Sequence, residues 1–128
     1  MSPNTPIPTD AELEILRVLW EGGPSTVREV HTAIGAHKPV GYTTVLKQMQ
    51  VMHQKGLLMR SDRFRSHVYE SAQSQTQTQR QLAGSILKQV FDGSARQLLQ
   101  SALAGRRVDA KELQQIRDVL DQYERKIK

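Results

Sequence analysis

The chain has 128 residues, a formal net charge of +5 and no cysteine. That length suffices for one ordinary domain or a small domain with an appendage, and the missing thiols exclude disulfides, thiolate metal sites and cysteine nucleophiles. No apolar run approaches the roughly 20 residues that span a bilayer, and the opening MSPNTPIPTD is polar and proline-rich rather than basic then apolar, so neither membrane insertion nor a signal peptide is expected, and the cytoplasm is the expected location.

The arrangement of charge says more than its total. Lys38 to Val68 carries six basic residues against Asp62 alone, whereas Asp10 to Glu29 carries five acids against Arg17 and Arg28. A nucleic-acid partner would meet the middle of the chain rather than its start. Residues 1 to 8 hold three prolines and predict a loose arm. Thr9 and Glu12 then have the spacing of a capping box, and Leu13, Ile15, Leu16, Leu19 and Trp20 supply the apolar face of a first helix that Gly22, Gly23 and Pro24 end. Ser25 or Thr26 can cap a second, short helix running to about Ala36, with Val27, Val30 and Ile34 facing a core. Pro39 cannot continue it, so Gly35 to Val40 makes a tight connection and the pair follows helix-turn-helix grammar.

Gly41 to Gly56 organises the rest. Val45, Met49 and Met52 fall at the spacing of a buried helix face, while Thr43, Thr44, Lys47, Gln50 and Gln54 lie on the other sides, where there is no carboxylate. Gly41 can stand at the N-cap, Lys55 suits the negative end of the dipole, and Gly56 can take the left-handed position that stops the helix. Hydroxyls, amides and a lysine on one face are the groups that meet base edges and phosphates in a DNA major groove.

After Gly56 the pattern becomes strand-like, from Leu57 to Arg60 and again from His67 to Glu70, which predicts a hairpin. Its tip, Asp62 to Ser66, holds Arg63 and Arg65 on either side of Phe64. A hairpin appended to a helix-turn-helix is a wing, and arginine suits phosphate because its planar fork donates two hydrogen bonds.

Residues 71 to 81 are polar and read either as a linker or as the exposed start of a helix; the domain boundary is placed here, with a DNA-binding domain over 1–75 and a helical domain over 76–128. Leu82, Ile86, Val90 and Phe91 form one helical stripe, Leu98, Leu99 and Leu103 with Ala102 a second, and Leu113, Ile116, Leu120 and Tyr123 a third, the last capped by Asp109 with Glu112 at the matching position. Three short helices cannot readily bury these faces alone, and a second copy of the same segment is the simplest cover; packing back onto the first domain is the competing arrangement.

Taken together, TDAELEILRVLWEGGPSTVREV, YTTVLKQMQVMHQKGLL, FRSHVYES and FDGSARQLLQSAL resemble, in order and spacing, the penicillinase-repressor family of winged-helix regulators over nearly the whole chain. The resemblance implies a mainly α architecture: a winged helix-turn-helix domain of three helices and a β-hairpin wing, then a helical dimerisation domain. It implies a homodimeric repressor with the helix at about 42–55 in the major groove of a palindromic operator and the wing, 62–66, on the backbone. Carried over by position, Tyr42, Thr43, Thr44 and Lys47 read and anchor, with Arg63 and Arg65 on the wing; Ser25 and Thr26 are counted with the DNA-binding candidates. A sensor-protease or antirepressor is a possible further partner. Two departures stand out. Ser101 and Ala102 occupy the place of the Asn-Phe bond cut in antibiotic-responsive members, and the C-terminal cysteine pair of copper-responsive members is absent.

No enzyme is expected, since His31, His37, His53 and His67 lack a metal spacing and no carboxylate pair, phosphate loop or nucleophile elbow occurs. Neither a metal nor a cofactor is expected. The alternative function is a winged-helix module for protein association, which would show large apolar side chains on the third helix and hairpin instead of hydroxyls, amides and cations.

Overall fold

A computed structural model of the chain describes residues 7–63 and 66–127, the side chain of Arg63 excepted. It divides into two compact units, residues 1–83 and 84–128. The first unit runs α1 (Asp10–Gly22), α2 (Val27–Gly35), α3 (Tyr42–Lys55), β1 (Leu58–Arg63) and β2 (Ser66–Ser71), then the opening of α4 (Gln75–Phe91).

Caps set the helix starts. Thr9 and Glu12 form the expected capping box on α1, and Thr26 with Glu29 repeats it on α2, so Thr26 rather than Ser25 is the cap. Gly41 begins α3 without a side-chain cap, and Gly56 ends it in the left-handed region at φ 86°. The Leu57 amide then donates back to the Met52 carbonyl at 2.9 Å, which satisfies a terminal acceptor and tucks Leu57 into the core.

The core collects Ile15, Leu16 and Leu19 of α1, Val27, Val30 and Ile34 of α2, Val45, Met49 and Met52 of α3, and Leu57, Leu58 and Tyr69 from the hairpin. Each helix therefore contributes the stripe its periodicity predicted. Emptying a position such as Met49, which is completely buried, would cost about 2–5 kcal/mol through lost contacts and a cavity.

The hairpin is longer than its alternation suggested. β1 and β2 pair antiparallel from Leu58 opposite Ser71 to Arg63 opposite Ser66, so Asp62 and Ser66 belong to the strands. On its other edge β2 exchanges two backbone hydrogen bonds with Ser25, Ser25 N to Tyr69 O at 2.9 Å and Tyr69 N to Ser25 O at 2.8 Å. Those bonds fasten the hairpin to the turn before α2.

The polar stretch after the hairpin is helical from Gln75. Ser74 and Gln77 cap one another reciprocally, Thr78 is buried, and Trp20 of α1 donates its indole N–H to the Gln73 carbonyl at 3.1 Å.

In the second unit, α4 ends at Asp92 and Gly93, both at positive φ. α5 (Ala95–Ala104) starts under a Ser94 cap, and α6 (Ala110–Ile127) starts with the Glu112 amide donating to Asp109 at 2.8 Å. Neither α5 nor α6 buries a single residue.

Candidate nucleic-acid interface

α3 presents the expected polar face. Thr43, Thr44, Lys47, Gln50 and Gln54 are all exposed, while Val45, Met49 and Met52 turn inward with no accessible surface. The helix contains no acidic residue, so nothing on it repels a phosphate. The only large apolar side chains it exposes are Tyr42, at 43%, and Val51, at 36%.

Charge around the helix is arranged by ion pairs the primary structure did not reveal. Lys55 Nζ lies 2.9 Å from Glu12 Oε2, and Lys38 Nζ lies 2.7 Å from Glu14 Oε1. Two of the six cations in the basic stretch are thus neutralised by carboxylates of α1. Lys47 is exposed and pairs with no described carboxylate, which leaves it free for an external anion. Glu12 itself is nearly buried. Burial opposes its charge, but the Thr9 amide and the Lys55 ammonium outweigh that and hold its carboxyl below the usual range.

Beside the N-terminus of α3 an open cleft of about 420 Å³ is lined by Thr26, Arg28, Tyr42, Leu46, Ser66 and His67, among others. It brings the start of α2, the start of α3 and the hairpin to one place. Tyr42 is oriented by His31, whose ring meets it edge-on with centroids 5.7 Å apart. His31 in turn holds the turn before α3, its Nε2 donating to the Val40 carbonyl at 2.8 Å. His67 Nε2 stands 3.3 Å from Asp62 Oδ1 across the hairpin.

Of the DNA-binding candidates, Thr26, Tyr42, Thr43, Thr44 and Lys47 are therefore on accessible surface on or beside α3. Ser25 is placed differently: it is buried, its hydroxyl donates to the Gly23 carbonyl at 2.8 Å, and its backbone holds β2. Its groups are committed within the fold, and no contact is assigned to it below. Arg65 and the side chain of Arg63 lie outside the described residues. Arg28 and His67 were missed by the sequence reading; Arg28 stands two residues after Thr26 at a helix start, a position where a cation could have been noticed, whereas nothing local marks His67.

The dimerisation candidates, Leu82 in the first unit and the others in the second, are all at least partly accessible. Leu82, Phe91, Leu98, Leu99, Leu103, Leu113 and Ile116 are half-buried, and Ile86, Val90, Leu120 and Tyr123 are exposed. Among the described residues no cluster of His, Asp and Glu could hold a metal ion, and no helix is long and apolar enough to cross a membrane.

A model of the penicillinase repressor family matches residues 8–122. The transcriptional regulator BlaI from two strains of Mycobacterium tuberculosis is 32% identical over 89 residues, 69% of this chain. The chain spans 64% of the length of these curated relatives.

Proposed function

Because this chain belongs to the penicillinase repressor family, we propose that it is a transcriptional repressor that binds a palindromic operator as a homodimer. One observation supports the DNA reading: α3, a helix with no carboxylate of its own, exposes Thr43, Thr44 and Lys47, and the hairpin comes beside the start of the same helix at Tyr42. Thr43 and Thr44, near the helix start, meet base edges or thymine methyls. Lys47 meets a guanine or a phosphate. Arg63 and Arg65 hold the backbone from the hairpin, with Thr26 and Tyr42 positioning the α2 and α3 starts against it. Two copies then place their α3 helices in half-sites one or two turns of DNA apart, and occupancy of a promoter excludes polymerase.

A sensor-protease or an antirepressor is the kind of partner that would release it. Ser101 and Ala102, exposed on α5, stand in place of the Asn-Phe bond of antibiotic-responsive members, which speaks against cleavage at that bond.

Selection of bound sequences from genomic fragments tests the reading. The expected result is a palindrome enriched upstream of a small set of genes. Failure to retain any duplex at low ionic strength would overturn it in favour of a protein-association module.

A further inference from the structure

α3 starts on a residue that cannot cap it. Gly41 stands at the N-cap with no side-chain hydrogen bond, whereas α1 and α2 each start under a threonine capping box. The turn leading to Gly41 is loosely tied as well. His37 and Lys38 donate to the Ile34 carbonyl at 3.0 and 3.2 Å, Pro39 has no amide proton, and among the described residues no main-chain group donates to the Val40 carbonyl. Yet the angle at which α3 leaves this turn decides where Thr43 and Thr44, its second and third residues, stand.

One side chain of α2 supplies what is missing. His31, half-buried, donates from Nε2 to the Val40 carbonyl at 2.8 Å and meets the Tyr42 ring at 87° with centroids 5.7 Å apart. The two contacts fall on the residues either side of Gly41, so they hold the entry of α3 across its uncapped position. Val40 itself packs against the core, which makes the attachment firm. Resting on the DNA reading above, we propose that His31 is a positioning residue for sequence discrimination. Acting through Val40 and Tyr42 rather than on a base, it sets the angle of the first turn of α3, so that Thr43 and Thr44 reach base edges in hydrogen-bonding geometry. Such bonds weaken steeply with misalignment, whereas the attraction between a lysine or arginine and phosphate tolerates it. Loss of His31 therefore lowers discrimination more than overall attraction to DNA.

Two variants of the full chain test this. His31→Leu removes both contacts, and His31→Gln keeps an N–H donor at the reach of Nε2 but loses the ring. Both replacements suit a helix at least as well as histidine, so α2 is not weakened by propensity. Binding is measured on the operator recovered from genomic fragments and on a random duplex of equal length. The expected result is a loss of about tenfold on the operator and under about twofold on the random duplex for His31→Leu, with most of the loss recovered in His31→Gln. A variant that merely folded poorly would lose equally on both duplexes, so an unchanged operator-to-random ratio would overturn the role. A His31→Gln variant as weak as His31→Leu would do the same. The free protein gives a second measurement: the backbone amide resonances of Tyr42, Thr43 and Thr44 should shift in His31→Leu, and unmoved resonances would also overturn the inference. Absence of any duplex binding by the unmodified chain, with those resonances displaced, would overturn the DNA reading and the discrimination with it, and leave His31 as a brace for α3 alone.

Discussion

Glu12 closes the capping box of α1 and also receives Lys55 from the end of α3, so one carboxylate ties two helices together. Its folded pKa is depressed. The stability it contributes is therefore present above the ordinary carboxylate pKa and is lost as pH falls through the folded value. Glu12→Gln should cost about 1–3 kcal/mol at pH 7, toward the lower end because Lys55 is 38% exposed and partly screened. Urea titrations should show the gap between the two proteins closing as pH is lowered below about 4. Thr44 and Lys47 belong to the same scale. Replacing either with Ala should weaken binding to the selected operator by roughly 1–3 kcal/mol. Equal losses on operator and random DNA for Thr44→Ala would deny it a reading role.

Among the elements, α3 was the most legible in the sequence, because its two faces differ in chemistry at every turn and its glycines stand at both ends. Gly56 is the sharpest case. Its φ of 86° is left-handed, yet no atom lies within 4 Å of where a Cβ would stand. Gly56→Ala should therefore cost about 1 kcal/mol from backbone strain alone, measured as a lowered midpoint of unfolding with operator affinity unchanged at 25 °C. The start of α4 was less legible. Residues 71 to 81 lack an apolar stripe, and what marks the helix there is the Ser74–Gln77 box together with the burial of Thr78. The hairpin was underestimated for a related reason. Charged Asp62 and Arg63 read as a tip, but backbone pairing does not depend on side-chain polarity and continues through both.

For the whole molecule, the proposed function requires two copies and a phosphate-binding surface, and each requirement has a measurement. Leu120 is exposed in the single chain, so Leu120→Asp should leave the fold intact and yield monomers by sedimentation. Arg63→Ala should weaken binding to all duplexes alike and lower the salt slope by about one unit. Sequence by itself determined the order of the first elements, the inward stripes of α1, α2 and α3, and the family, because periodicity, caps and turn residues act over a few positions along the chain. Tertiary structure alone decided that Ser25 faces inward against Tyr69, that α1 neutralises Lys38 and Lys55, and that Arg28 and His67 join Tyr42 around one cleft. These depend on distances between segments far apart in the chain, which no local pattern encodes.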